Sequence, residues 1–237
     1  MMTRLIAVAA TAAGLLLAAG SPAGAQWRAP ARDNEHVFRR NLCSWTELRT
    51  RHVVIQQHDY SCGAAALATL IRYHLGDNVT EEQFVRQFEK MATPAVYADR
   101  VKNGLNLNDV EDIARAAGYD TLKGKLTLQK LGESKVPLIV GITVNGYDHF
   151  VVVRGRDWEY IYLADPLRGN VRVLASEFAG QWQGQGVLAV VRRDRDPPPT
   201  SPLTVRRSEV SLGTLNNIEV RKSLSRPTVQ PPLPSRF

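Results

Sequence analysis

The order of apolar and polar positions splits the chain into an early part with helical spacing and a late part of short apolar runs. From Cys62, small and apolar residues recur at Ala65, Ala66, Thr69, Leu70 and Tyr73 until Gly76 offers a stop, which predicts a buried helix that opens at the cysteine. Thr80-Glu81-Glu82-Gln83 is a capping-box sequence that starts a second helix running to about Lys90, and Asn108-Asp109-Val110-Glu111 starts a third that Gly118 ends. Residues 91–107, between those two, read as a loop. Upstream, Gln26 to Asn34 is polar and loose in character, and Val53-Val54-Ile55 reads as a short buried strand leading into Gln56.

From Pro137 the period changes. Leu138–Val144, His149–Val153, Tyr160–Ala164, Val171–Leu174 and Val187–Val191 are strand-like runs. Turn sequences separate them, among them Asn145-Gly146-Tyr147-Asp148 and Asp165-Pro166-Leu167-Arg168-Gly169-Asn170. The gaps are too short for helical crossovers, so the strands are expected as antiparallel neighbours. Helices first and a twisted antiparallel sheet second make an α+β fold.

The first 25 residues change the picture of where the protein works. Arg4 gives a basic start, Leu5 to Ala19 is almost wholly apolar and Ala23-Gly24-Ala25 is a small-x-small cleavage sequence, so 1–25 is read as a signal peptide. The apolar run is short for a membrane span, and no cysteine follows the cleavage sequence to take a lipid. The expectation is an exported protein, periplasmic or secreted, with no transmembrane segment in the mature chain. A leader segment then covers 26–51, the folded domain 52–192 and a basic, proline-rich tail 193–237, for which truncation near Pro197 is expected to leave a folded core. A length of 237 residues, 44% of them hydrophobic, suits one core with tails.

The net charge of +7 raises a nucleic-acid reading, and its distribution dismisses it. Residues 192–237 hold nine Lys/Arg against four acids, and Arg4 leaves with the signal, so the body is nearly neutral. A neutral body lacks the electrostatic footprint that phosphate backbones require.

Candidate chemistry centres on Cys62. A thiol at a helix N-terminus feels the positive end of the backbone dipole, which favours its nucleophilic form. Taken alone, the same cysteine reads equally as a small core residue or as half of a disulfide. A cysteine nucleophile also wants a base, a residue that orients the base, and donors for an oxyanion. Of the five histidines, His36 lies in the leader, His52 precedes a strand, His58 sits in the turn before Cys62, and His74 ends the helix about 18 Å from its start. His149 heads a buried strand, and Asp165 closes the next one. Each alone has an ordinary structural reading, but two neighbouring antiparallel strands joined by a tight loop place them within hydrogen-bond reach. Two cysteines without close Cys/His spacing make a weak metal case, so neither metal nor cofactor is expected.

Gln56, five intervening residues, then Cys62-Gly63-Ala64-Ala65-Ala66-Leu67-Ala68-Thr69-Leu70 and Tyr73-His74-Leu75-Gly76 resemble the first motif of the C39 peptidases, papain-like cysteine proteases best known as the leader-cleaving domains of bacteriocin exporters. His149-Phe150-Val151-Val152-Val153 followed by Leu163-Ala164-Asp165-Pro166 resembles the second. The resemblance covers roughly 52–192. It implies a papain-like fold, Cys62 as nucleophile, His149 as general base and acid, Asp165 as orienter, and Gln56 as a side-chain oxyanion donor beside the Cys62 N–H. The chain departs from the exporter domains at Ser61, where they usually carry an acid. With its export signal it looks more like the stand-alone exported C39-like proteins, some of them found with surface-fibre or functional-amyloid secretion systems. The implied partner is a peptide or protein substrate, such as a secreted fibre subunit, or its export machinery. An acyltransferase of the transglutaminase type with the same Cys-His-Asp set, and a non-catalytic peptide-binding module, are the competing readings.

Cys43 is the second cysteine. A Cys43–Cys62 disulfide would close a loop of about twenty residues, worth roughly 3 kcal/mol, but would consume the nucleophile. Cys62 is therefore expected as a free thiol with Cys43 outside the site, a reversible Cys43–Cys62 lock being the alternative.

Overall fold

The computed structural model describes residues 30–32, 37–39, 44–194, 200–207 and 209–210. The signal peptide expected over 1–25, Cys43 and the tail beyond 210 lie outside the described residues. The chain divides into two units, 1–44 and 45–237. In the first, β1 (Pro30–Arg32) and β2 (Val37–Arg39) pair antiparallel with Pro30 opposite Arg39, so part of the leader expected to be loose is a short ladder.

The second unit begins with a short helix α1 (Trp45–Thr50). Val53-Val54-Ile55 does not form the expected strand. The Val54 N–H instead donates to Thr69 Oγ1 at 2.9 Å, and the Gln56 N–H to Pro166 O at 2.9 Å. Helix α2 (Cys62–Leu70) runs into a π-helical turn (Ile71–Leu75) that stops at Gly76, in the left-handed region with φ 85°. Every residue of α2 is buried. That is affordable only because its residues are small: a Cβ on Gly63 would lie 2.7 Å from Val110 Cγ2 and 3.3 Å from Phe150 Cδ2. The helix is clamped between Val110 on one side and Phe150 on the other.

The predicted capping box at Thr80–Gln83 is formed and opens α3 (Glu81–Met91), whereas α5 (Leu107–Ala116) starts one residue before the expected Asn108, with a capping box of its own at Asn106–Asp109. Between them the expected loop holds a helix, α4 (Pro94–Asn103), capped by Thr93 and started by Pro94 at its first turn. It buries none of its residues, so apolar periodicity gives no sign of it.

A six-stranded antiparallel sheet completes the unit in the order β3-β8-β4-β5-β6-β7. The strands are β3 (Asp120–Lys125), β4 (Leu138–Val144), β5 (Tyr147–Arg156), β6 (Tyr160–Asp165), β7 (Gly169–Leu174) and β8 (Gly186–Val191). Neighbours in sequence are neighbours in the sheet from β4 to β7, as expected. The last strand breaks that rule. After helix α7 (Ala175–Gln181) and a 3-10 turn at Gln183–Gln185, β8 inserts between β3 and β4. Helices α2, α3 and α5 share one apolar core with residues of the sheet such as Ile139, Phe150, Val152 and Leu188. Leu131 of helix α6 (Leu128–Glu133) and Phe178 of α7 form a second core with Val140, Val151 and Leu163.

The described part of the tail is not separate from this body. Leu203, 1% exposed, lies in the α2 core. The Arg154 side chain, 5% exposed, donates to Leu203 O at 2.9 Å, to Asn170 Oδ1 at 2.8 Å and bidentately to Glu209 at 3.0 Å. Residues 200–207 and 209–210 thus form a strap against the body, and a core truncated near Pro197 loses it.

Candidate active site

The site is built where β5 and β6 run past the start of α2. The β5–β6 register sets Val152 opposite Ala164, so the end of β6 comes beside the first half of β5. There His149 Nε2 donates to Asp165 Oδ1 at 2.9 Å. The other ring nitrogen is left for Cys62, whose side chain interacts with the imidazole and helps to raise it. The thiol of Cys62 is free and buried. Three of the four residues expected together from the sequence are therefore in contact.

Asp165 has no exposed surface, and the chain surrounds it with donors. Oδ1 accepts the Leu167 and Arg168 N–H groups at 2.8 and 3.0 Å besides the imidazole, and Oδ2 accepts Arg168 Nε at 2.6 Å. The turn that supplies these donors is fixed from outside by α1. Arg49 Nε donates to Arg168 O, and at Gly169 (φ 79°) a Cβ would lie 2.3 Å from Arg49 O. Only glycine fits there, on grounds of both backbone conformation and space.

These contacts set the charge of the pair. Burial by itself raises the Asp165 carboxyl, but the hydrogen bond and charge of His149 and the Arg168 donors overcome it and hold the acid at about 2. Burial likewise depresses the His149 imidazole, yet the hydrogen bond with Asp165 and the interaction with Cys62 push it up to about 9. A raised histidine contributes stability that is complete below its unfolded value of about 6.5 and is lost as pH rises through about 9. The depressed Asp165 contributes above its unfolded value and loses that contribution as pH falls through about 2. Melting temperatures between pH 6.5 and 9.5 are therefore expected to fall more steeply in the wild type than in Asp165→Asn, which removes the main cause of the imidazole shift. Parallel curves would contradict the pairing.

Gln56 sits at the base of the loop that leads to Cys62, with its backbone N–H on Pro166 O beside Asp165. Its Nε2 donates to His58 O at 3.0 Å, which leaves a second N–H on that nitrogen, and its Oε1 is buried without a protein partner. Ser61, the N-cap residue of α2, makes no side-chain cap, so the first N–H groups of the helix, that of Cys62 included, have no side-chain partner from it. The other histidines are elsewhere: His52 packs on Tyr73, His58 stacks on Tyr60, and His74 is buried in the π-helical turn, where burial lowers its pKa. His36 lies outside the described residues. Among the described residues no group of three or more His, Cys, Asp or Glu is placed to hold a metal ion.

Sequence reasoning missed two side chains here. Arg168 looks like part of a turn, and its one local signal is the three-residue spacing from Asp165. Glu81 looks like an ordinary first-turn acid of α3, yet it is 2% exposed and accepts from the Gln57 N–H at 3.0 and 3.1 Å and from the Ser61 hydroxyl.

A free cysteine at the start of a buried helix, facing a histidine and an aspartate from an antiparallel sheet, defines a cysteine peptidase of the papain-like α+β class. The comparisons agree. Residues 50–195 match the model of the Peptidase C39 family, and the chain belongs to that family. It is 32% identical over 182 residues to the probable functional amyloid protease FapD of Pseudomonas aeruginosa, covering 75% of this chain and 79% of that one. Its identity to the probable functional amyloid protease FapD of Pseudomonas fluorescens is 30% over 217 residues, 83% of this chain and 88% of the other. The peptidase domain of Streptococcus ComA, a bifunctional ABC transporter, shares the fold with a TM-score of 0.50 at 20% identity, over 60% of this chain and 98% of that domain. No described helix is long and apolar enough to cross a membrane.

Proposed function

We propose that the chain is an exported endopeptidase that cleaves a secreted or periplasmic peptide or protein, with Cys62 as nucleophile, His149 as general base and acid, Asp165 as the residue that orients the imidazole, and Gln56 as a side-chain oxyanion donor. The observation that carries the reading is the buried Asp165 hydrogen-bonded to His149, with the free Cys62 at the start of the buried helix α2 interacting with the same imidazole. Sγ of Cys62 attacks the scissile carbonyl carbon while the thiol proton passes to His149. The oxygen that becomes negative is held by the Cys62 N–H and the spare Gln56 N–H. The C–N bond then breaks as His149 gives its proton to the leaving amine, and a thioester remains on Cys62. Water attacks that thioester, His149 takes a proton from it, and the sulfur leaves with the proton restored. Asp165 keeps the imidazole facing the sulfur and supports its positive charge in between.

For the substrate, the two Pseudomonas relatives carry the name functional amyloid protease, which supports a secreted fibre subunit or a component of its export machinery. Incubation of the mature protein with such exported polypeptides, read by mass, tests the proposal. Two fragments whose masses sum to the substrate plus one water are expected. Cross-linked products would mark an acyltransferase, and an unmodified complex would mark a binding module.

A further inference from the structure

We propose that Glu81 is a positioning residue for the candidate oxyanion site: through Ser61 and Gln57 it holds the loop 56–61 so that Gln56 and the uncapped start of α2 face the same point. The inference rests on the peptidase reading above and adds to it a residue from a different element. Glu81 is the first residue of α3, where its charge suits the helix N-terminus. That local role does not require burial, and burying a carboxyl is costly unless it is hydrogen-bonded. The donors it receives belong to the loop before Cys62. Both of its oxygens lie on the Gln57 N–H, and the Ser61 hydroxyl, which accepts the His58 N–H at 3.2 Å, has its one proton shared between Glu81 Oε1 and His58 O, the latter at 2.7 Å.

Two consequences follow for the site. A serine at an N-cap ordinarily turns its oxygen onto the N–H groups of the first helical turn. Here the hydroxyl is drawn back to Glu81 and His58 O, and the start of α2 keeps those N–H groups uncapped. His58 O is in turn the acceptor that fixes Gln56 Nε2 at 3.0 Å, and it also receives the Ser61 N–H at 3.2 Å. The carboxyl on α3 thus reaches both oxyanion donors through one serine and one carbonyl. It touches neither the thiol nor the substrate.

The test uses the mature protein and two small probes. p-Nitrophenyl acetate acylates a thiol through a tetrahedral oxyanion: the S–C bond forms, p-nitrophenolate leaves and the thiol proton goes to His149. Iodoacetamide alkylates the same sulfur by displacing iodide, with no oxyanion. Glu81→Ala is expected to slow acylation of Cys62 about tenfold, a fraction of the 10²- to 10³-fold cost of losing a donor outright, and to leave alkylation within about twofold. Glu81→Gln, which keeps an acceptor for the Gln57 N–H, is expected to recover most of the acylation rate. Hydrogen exchange of the Gln57 amide should accelerate in Glu81→Ala by about tenfold or more, while the interior amides of α2 and α3 hold their rates. Equal slowing of both probes, no rescue by glutamine, or unchanged exchange at Gln57 would overturn the proposal. Equal acylation of the wild type and His149→Ala would instead mark failure of the peptidase reading, and the exchange measurement would still decide whether Glu81 fastens the loop.

Discussion

Replacing Cys62 by alanine is expected to abolish peptide cleavage, and His149→Ala to lower it by on the order of 10⁴-fold or more, because nucleophile and base act as one unit. Gln56→Ala should cost on the order of 10²- to 10³-fold if its amide is one of two oxyanion donors. Asp165→Asn keeps the acceptor toward the turn but withdraws the charge that supports the imidazolium, so its activity is expected to fall less than that of His149→Ala and to lose its alkaline limb at lower pH. Steady-state cleavage of the peptide found by mass, with melting curves to confirm folding, checks all four. Full cleavage by Cys62→Ala would sink the assignment.

The second large effect is on stability. Ending the chain at Pro199 removes Leu203 from the core and takes from the Arg154 guanidinium its bonds to Leu203 O and to Glu209, leaving Asn170. Loss of a buried leucine alone costs about 2–5 kcal/mol, a large share of the roughly 5–15 kcal/mol that holds a domain together, and the Arg154 guanidinium, left buried with fewer acceptors, adds to it, while Glu209, a third exposed, adds less than a fully buried partner would. The truncated protein is expected to melt lower by about 10 °C or more, or not to fold. Ending it at Arg221 instead keeps the strap and is expected to leave the melting temperature within a few degrees. A Pro199 truncation that melts like the full chain would show that the strap contributes little.

Much of this architecture could be read directly from residue patterns. Helix α2, the capping box of α3 and the strand runs from β4 to β8 each announce themselves through short-range patterns, and the His149–Asp165 pair follows once β5 and β6 are taken as hairpin neighbours. What escaped depends on contacts that local patterns do not carry. Helix α4 has no buried face, so only Thr93-Pro94 marked it. Leu203 and Val205 are two isolated apolar residues in a polar, proline-containing stretch, and the burial of Leu203 is decided by contacts distant in sequence. Glu81 satisfied a local rule so well that nothing was left over to suggest a second role. The position of β8 is set by a connection whose helix α7 shows no strong sequence signal, and the antiparallel rule alone would have put it beside β7.

Asn170 ties distant parts of the second unit together. Its Nδ2 donates to Arg51 O at 2.7 Å, just after α1, while its Oδ1 accepts Arg154, which in turn grips Glu209 in the strap. The first and last described segments of this unit are therefore fastened through one amide next to Gly169, on the turn that begins at Asp165. In the language of local unfolding, α1, the β7 edge and the strap are expected to open together, their amides exchanging with similar protection. Such an opening would take from the aspartate the frame that aims it at the histidine and, with Leu203, part of the packing around α2.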